Sequence, residues 1–278
     1  MSYKIKSYSD IASWEQEAWP FLKKEEGWNN LFWQIRQNWQ KSIRQGWLGN
    51  VYYEDQILMS ALQTPSNYLL LSHGNWEAVE ALVECSIHQR NKYKGIHGPK
   101  PLADHYLTHA QKIGLTVRSI SQRTFKLFET SKTRKNNIFL NYKLKEVSDI
   151  DWPRARVWAQ SFAMEAVPPM NLSAIVQMAK QMRSANNLLM LMDPQNYPCA
   201  MAGFGRSTDR YRVINMVYVP RERRGEGIGK ELITRMTTYA QKLGYEECLL
   251  FSEWEGRRNL YDSAGCKTLG KFVEYDLI

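Results

Sequence analysis

The sequence predicts an α/β (α+β) fold in two successive domains, and three observations support this prediction. A strand, a glycine-rich turn and an amphipathic helix follow one another within residues 212–244. The chain of 278 residues is long enough for each of two domains to bury a core. The stretch 131–137 contains only polar residues, which is typical of a linker. We therefore predict one domain at residues 1–134 and another at residues 138–278.

The first domain is predicted to alternate helices and strands. Residues 1–47 are predicted to be mostly helical, and we expect their six tryptophans to pack helices on a core. Strands are predicted where apolar runs lie between turn residues, and helices where apolar residues recur at helical spacing. The predicted strands are 48–53, 57–62, 68–71, 117–120 and 125–128, and the predicted helices begin at the Asn75 cap and at about residue 102.

Two histidines of the second of these helices, His105 and His109, are four positions apart. This spacing can place two metal ligands on one helix face, but the pattern supplies no third ligand. We therefore expect a solvated helix face and no metal site. The first half of the sequence also contains no glycine loop.

The second domain is predicted to begin with a strand at residues 138–147. Helices should follow from Ser148 or Asp149 to the Pro168-Pro169 pair, and from Asn171 to Ser184. The further predicted strands are 188–192, 199–206, 212–219, 248–252 and 272–277. The helix after the glycine turn should end at Gly244, where a left-handed residue is commonly needed.

The glycine turn itself suits a phosphate. It follows the strand end Val217-Tyr218-Val219-Pro220 and opens a helix, so free backbone N–H groups and a helix dipole point at one place. Its spacing differs from a Walker loop and from the dinucleotide fingerprint. The turn consists of Arg224, Gly225, Glu226, Gly227, Ile228, Gly229 and Lys230.

The pattern Arg224-x-x-Gly227-x-Gly229 resembles the coenzyme A loop of the GNAT superfamily of N-acetyltransferases. Leu-Tyr-x-x-x-Gly, with Tyr261 and Gly265, resembles the second coenzyme A motif of these enzymes. The stretches 98–104 and 158–165 are similar to signatures of bacterial two-domain members with a degenerate N-terminal half. Two positions depart from the family pattern, with Trp254 in place of an asparagine and Cys266 in place of an aromatic residue.

The resemblance implies two tandem acyl-CoA N-acyltransferase-like domains, whose mixed central sheets are flanked by helices. It implies that the second domain binds acetyl-CoA and transfers the acetyl group to a primary amine by direct attack in a ternary complex. Tyr261 is then the general acid, and Glu165 is a candidate base by family position. The implied cofactor contacts are Val217, Tyr218, Val219, Arg224, Gly225, Glu226, Gly227, Ile228, Gly229 and Lys230.

An alternative remains open, in which the chain is a catalytically weak coenzyme A-binding or regulatory protein with the same fold. The acceptor is expected to be a small-molecule amine or a protein or peptide amine, and the protein a monomer or homodimer. The net charge of +9 is spread along the sequence, so a nucleic-acid partner is not expected. No apolar run reaches membrane-spanning length, and the four cysteines form no C-x-x-C pair, so we expect a cytoplasmic protein with reduced thiols.

Overall fold

The structure is a computed structural model, and it describes residues 3–39, 46–88, 93–130, 137–166, 169–253 and 259–278. The chain forms two compact units. The first unit comprises Met1–Leu127, Ser252–Trp254 and Leu269–Ile278, and the second comprises Phe128–Phe251 and Glu255–Thr268.

The strands, in chain order, are β1 (Tyr3–Tyr8), β2 (Leu48–Tyr53), β3 (Gln56–Gln63), β4 (Tyr68–Leu71), β5 (Gly95–Pro99), β6 (Ser119–Glu129), β7 (Lys143–Glu146), β8 (Leu188–Met192), β9 (Pro198–Ser207), β10 (Tyr211–Tyr218), β11 (Glu247–Ser252) and β12 (Lys267–Leu277). The helices, in chain order, are α1 (Ile11–Leu22), α2 (Asn30–Trp39), α3 (Trp76–His88), α4 (Lys100–Lys112), α5 (Trp152–Glu165), α6 (Leu172–Ser184), α7 (Ile228–Lys242) and α8 (Leu260–Ser263).

The first unit contains a mixed sheet in the order β1-β2-β3-β4-β5-β12. The pairs from β1 to β4 are antiparallel, β4 and β5 are parallel, and β5 and β12 are antiparallel. The parallel pair needs a crossover, which α3 provides. Apolar residues of α3, α4 and the sheet, such as Val79, Leu71 and Ala103, form the core of this unit.

The second unit repeats this arrangement, with a sheet in the order β11-β10-β9-β8-β7. The pairs from β7 to β10 are antiparallel, and β10 and β11 are parallel with α7 as the crossover. Helix α7 packs on one core, which includes Phe204, Ile214 and Leu232, while α5 and α6 pack on a second core. The predicted fold class, mixed sheets flanked by helices in two similarly built units, is confirmed.

Several local predictions differ from the structure. Residues 3–8 form β1 rather than a helix, because they pair with β2 along its whole length. The two strands predicted at 117–120 and 125–128 are one strand, β6. The strand predicted from residue 138 is limited to β7, since residues 137–139 form a short 3₁₀ turn. Of the predicted linker, residues 131–136 lie outside the described residues, as does Pro168.

The C-terminal strand was expected to complete the second domain, but β12 pairs with β5 of the first unit. Val273 and Tyr275 are buried in the core of that unit, so the strand supplies apolar area to it. The division into domains at 1–134 and 138–278 stays a prediction, while the compact units have the bounds given above.

The expected solvated face of α4 is wrong for His109, which is buried. Glu80 of α3 lies between the two histidines, with its Oε1 atom 3.1 Å from His105 Nε2 and 3.4 Å from His109 Nδ1. The i, i+4 histidines therefore face a neighbouring helix. No helix in the described ranges has both the length and the apolar character needed to cross a membrane.

The position of β12 predicts the effect of Val273→Ala. The side chain is fully buried, so losing two carbons and leaving a cavity should lower the free energy of unfolding by about 2 kcal/mol. Denaturant unfolding followed by tryptophan fluorescence measures this change, because most tryptophans lie in the first unit. Ile278→Ala is the matched control, since Ile278 is largely exposed next to the same strand. Equal stabilities of the two variants would contradict the packing role of β12.

Candidate cofactor and catalytic site

A glycine turn joins β10 to α7 in the second unit. Gly225 and Gly227 have φ angles of 88° and 83°, in the left-handed region that residues with a β-carbon rarely adopt. Gly227 is the N-cap of α7, and no side chain there caps the helix. The turn and the first turn of the helix therefore present backbone rather than side chain.

Most backbone N–H groups of this turn, those of residues 225–230, have no acceptor among the described residues, whereas Arg224 N donates to Arg221 O at 3.3 Å. The first intrahelical hydrogen bond of α7 runs from Glu231 N to Gly227 O, at 3.1 Å. Within the ranges that the structure describes, the N–H groups of residues 225–230 donate to no protein atom. Residues 225–227 are exposed, so an anion can reach these donors. Six consecutive free donors at the positive end of a helix are the features of a phosphate-binding site.

The equivalent place in the first unit is built differently. There α3 begins after a short turn, and Asn75 Oδ1 accepts a hydrogen bond from Ala78 N at 3.0 Å. The Asn75 side chain thus already accepts from one of the N–H groups that a phosphate would need. This contrast favours the second unit as the place of any cofactor.

Four cations surround the glycine turn, and they are not equivalent. Lys230 is exposed and forms no ion pair among the described residues. Arg223 Nε lies 3.0 Å from Glu226 Oε2, and Arg223 Nη1 lies 3.6 Å from Asp193 Oδ2. Arg221 and Arg224 both contact a third carboxylate. Lys230 is therefore the cation that is available to a phosphate without breaking an ion pair.

That third carboxylate is Glu165, the last residue of α5. Arg221 Nε donates to its Oε1 atom at 3.1 Å, and Arg224 Nη2 donates to its Oε2 atom at 2.6 Å. The Tyr218 hydroxyl lies 3.5 Å from Oε1. Burial by itself raises the pKa of Glu165, but the hydrogen bonds and charges of Arg224 and Arg221 outweigh it and hold the pKa below its ordinary value. Glu165 is therefore an ionised, weakly basic carboxylate in this arrangement.

Strands β10 and β11 pair only over their first residues. The parallel register joins Tyr211–Val213 to Glu247–Leu249, although β10 continues to Tyr218 and β11 to Ser252. Along the other edge of β10, the register with β9 shifts between Asn215 and Tyr218. Met216 has a φ angle of 55° at this irregularity. The second half of β10, which leads into the glycine turn, is therefore not paired with β11.

Tyr261 lies in the short helix α8. Asn259 caps this helix, since its Oδ1 atom accepts a hydrogen bond from Tyr261 N at 2.9 Å. The neighbouring Leu260 packs on the first turn of α7, where a β-carbon at Gly229 would lie 3.0 Å from Leu260 Cδ1. This contact sets α8 beside the glycine turn.

The phenol of Tyr261 is suited to keeping its proton. The ring is partly buried, with its centroid 5.4 Å from that of Phe128. Burial raises the pKa of Tyr261, and the neighbouring Cys266 adds to this effect. In the part of the chain that the structure describes, the hydroxyl donates no hydrogen bond to the protein. The proton is thus both retained and available to a bound molecule.

The structure brings most of the predicted site residues together. The turn 224–230, Tyr218, Val219 and Glu165 are in contact, since Arg224 Nε also donates to Val219 O at 2.9 Å. The Asn259 cap was not predicted, although an asparagine before a short helix is a recognised signal for it. The ion pairs of Glu165 with Arg221 and Arg224 were not predicted either. Trp254 lies outside the described residues.

Comparison with known proteins agrees with this geometry. Residues 147–265 match the model of the Acetyltransferase (GNAT) family. No curated protein matches the chain by sequence.

Solved structures resemble the whole chain. A GNAT-family acetyltransferase from Colwellia psychrerythraea has a TM-score of 0.61 at 14% identity, covering 99% of this chain and 100% of that one. A GCN5-related N-acetyltransferase from Sphaerobacter thermophilus has a TM-score of 0.59 at 13% identity, covering 99% and 95%. A tandem GNAT protein from the clavulanic acid biosynthesis pathway has a TM-score of 0.50 at 8% identity, covering 99% and 98%. At these identities the likeness concerns the fold.

Proposed function

We propose that the chain is an acetyl-CoA-dependent N-acetyltransferase acting on a primary amine, since residues 147–265 match the model of the GNAT acetyltransferase family. The observation that carries this proposal is the run of N–H groups at residues 225–230, which has no acceptor among the described residues and begins at the exposed residues 225–227. It lies at the end of β10, next to the divergence from β11. A phosphate-binding turn beside an unpaired strand suits a ligand that has both a pyrophosphate and an amide-containing arm.

The glycine turn would hold the cofactor phosphates. The N–H groups of Gly225, Glu226, Gly227, Ile228, Gly229 and Lys230 would bind the pyrophosphate, and the Lys230 ammonium would add a charge. The backbone of Val217, Tyr218 and Val219 would pair with the pantetheine arm in the manner of an added strand. Bound acetyl-CoA supplies a thioester whose acetyl carbon is the electrophile.

Two groups of the chain would act on the reaction itself. A backbone N–H of β10 near Val217 would polarise the acetyl carbonyl, which favours the charge that develops on its oxygen. Tyr261 would donate its hydroxyl proton to the departing sulfur, and its raised pKa supports a group that is still protonated at neutral pH. Direct attack by the amine fits the absence of any histidine after position 109 in the sequence.

A different reading of the same site is a coenzyme A-binding protein that turns over poorly. Cys266 motivates it, because this residue stands where the family usually has an aromatic ring and lies directly beside Tyr261, whose carbonyl accepts from Cys266 N at 3.0 Å. A smaller sulfur side chain would pack less well against the cofactor arm than an aromatic ring. The proposed acceptors are small-molecule amines or amines of proteins and peptides, and the proposed assembly is a monomer or homodimer.

An amine panel assayed for free thiol release from acetyl-CoA tests the proposal. We expect at least one amine of the panel to accelerate thiol release above hydrolysis, and calorimetry to detect coenzyme A binding by the same protein. Binding without thiol release for any amine, small or peptidic, would favour the binding-protein reading. Failure to bind coenzyme A would contradict both.

A further inference from the structure

Glu165 is bound by residues in and directly before the glycine turn. Its carboxylate accepts from Arg221 and Arg224, at 3.1 Å and 2.6 Å, and has the Tyr218 hydroxyl 3.5 Å away. The carboxylate side chain is 22% exposed, whereas Arg221 and Arg224 are 74% and 45% exposed. The arginines therefore lie nearer to solvent than the carboxylate that they neutralise.

The same two arginines flank the phosphate donors. Arg224 immediately precedes the free N–H groups of residues 225–230, and Arg221 begins the short 3₁₀ turn before it. Arg224 makes two hydrogen bonds, with Nε donating to Val219 O and Nη2 donating to Glu165 Oε2. Guanidinium groups bind phosphate at least as well as carboxylate, and a pyrophosphate carries more charge than one glutamate. A pyrophosphate in the turn would thus draw these arginines from Glu165.

We propose that Glu165 and the cofactor pyrophosphate compete for Arg221 and Arg224, so that Glu165 becomes a proton acceptor only after acetyl-CoA has bound. This inference rests on the proposed function and concerns the regulation of the same site. Before binding, Glu165 holds the two arginines next to the turn. After binding, the arginines contact phosphate and the carboxylate is released from its ion pairs.

Release changes the basicity of Glu165 in a defined direction. Among the described residues, the charged or titratable groups that contact Glu165 are Arg221, Arg224 and Tyr218, and the Tyr218 ring packs 6.0 Å from that of Trp158. The two arginines lower the pKa of Glu165, and burial raises it. Once the arginines move away, burial remains and the pKa rises. The carboxylate then becomes a stronger base when the cofactor is present.

The proton transfers of the reaction balance with Glu165 in this role. The amine nitrogen uses its lone pair to form the C–N bond, and the C–S bond breaks with its electron pair left on sulfur. Glu165 accepts the surplus proton of the nitrogen, directly or through one water, and Tyr261 donates its hydroxyl proton to sulfur. Each side chain then exchanges one proton with solvent, which restores the carboxylate and the phenol.

Coenzyme A binding by Glu165→Gln tests the competition. Because the neutral amide no longer retains the arginines, we expect this variant to bind coenzyme A about three- to tenfold more tightly in calorimetry, the range for one or two partly exposed ion pairs. Glu222→Gln is the matched control, since Glu222 lies in the short 3₁₀ turn directly after Arg221 but makes no ion pair among the described residues. It should bind as the wild type does.

Affinity that is unchanged or weaker in Glu165→Gln would overturn the competition, because a carboxylate that only positions the arginines predicts a loss. Wild-type protein that does not bind coenzyme A would overturn the proposed function as well, so the two failures are distinguishable. An equal gain in Glu222→Gln would show that any lost negative charge suffices, which also overturns the inference.

Proton uptake tests the second half of the proposal. Calorimetry in two buffers of different ionisation enthalpy, near pH 5, measures the protons taken up when coenzyme A binds. The ligand phosphates contribute equally to proton uptake by the wild type and by Glu165→Gln. The difference in proton uptake between the two proteins is therefore the contribution of Glu165. We expect a positive difference, together with a lower kcat for the variant despite its tighter binding. No difference in proton uptake, or an unchanged kcat, would overturn the role of Glu165 as a cofactor-dependent base.

Discussion

Gly227→Asp is expected to abolish the binding of acetyl-CoA while the second unit remains folded. The substitution places a carboxylate at the N-cap of α7, beside the N–H groups of residues 225–230, which have no acceptor among the described residues. At this position a β-carbon would meet only Phe139, at 3.6 Å, which is ordinary contact. The left-handed φ of 83° strains any residue with a β-carbon, although aspartate tolerates it better than most. The fold should therefore survive and the phosphate site should not.

The expected loss of affinity is large because the new carboxylate would repel the negatively charged pyrophosphate at short distance. Two unit charges 4 Å apart repel by about 4 kcal/mol at an effective dielectric constant of 20, which is nearly a thousandfold in affinity. Calorimetric titration with coenzyme A measures this loss. Gly227→Asn separates the effect of charge from that of shape, since asparagine has nearly the same volume as aspartate but no charge. It should retain more affinity than Gly227→Asp.

Gly244→Asp is the matched control for backbone strain. Gly244 has a φ angle of 95°, follows the other end of α7, and would find nothing within 4 Å of a β-carbon. It introduces the same charge and a similar backbone strain away from the phosphate donors. We expect its stability to fall as that of Gly227→Asp does, and its coenzyme A affinity to remain. Wild-type affinity in folded Gly227→Asp would place the phosphate site elsewhere.

The glycine turn could be predicted from the sequence because every part of it is local. The predicted strand, 212–219, differs by one residue at each end from β10, and Gly244 does end the α7 segment as expected. Proline, glycine and helical periodicity act over a few residues, so their effects can be seen without the fold. The same holds for Tyr261, which a short motif places at the start of α8.

The partners of distant residues could not be predicted in this way. Glu165 lies 56 positions before Arg221, and neither residue alone indicates an ion pair with the other. The family position of Glu165 suggests a base, whereas its contacts show a carboxylate that two arginines hold ionised. Its chemical role thus depends on tertiary contacts that the sequence pattern does not contain.

The pairing partners of two strands could not be predicted from the sequence either. The segment 3–8 has two lysines and a serine between its two terminal tyrosines, and it becomes a strand because it pairs with β2 about 45 positions later. The strand at residues 267–277 was predicted, but its pairing with β5 in the first unit was not. An apolar alternation indicates that a strand has a buried face, but not which sheet it joins.

Tyr261→Phe is expected to lower kcat by about 10²–10⁴-fold, the usual contribution of a positioned general acid. A thiolate that leaves without a proton is a poor leaving group in a site shielded from water, and phenylalanine removes the donor. The ring contact with Phe128 is retained. Because the hydroxyl has no protein partner among the described residues, stability and coenzyme A affinity should barely change. Thiol release measured at saturating acetyl-CoA, where chemistry limits the rate, gives the effect on kcat.

Tyr239→Phe provides the control for losing a phenol from the same core. Tyr239 packs partly buried against the α7 core, and its hydroxyl donates to Glu146 at 3.1 Å, outside the proposed site. This variant should lose a little stability and keep its kcat, whereas Tyr261→Phe should keep its stability and lose its kcat. Burial keeps the Tyr261 phenol protonated throughout the neutral range, so its ionisation should not reduce kcat there. A Tyr261→Phe protein with near-normal kcat would show that the sulfur leaves unprotonated or takes its proton from water.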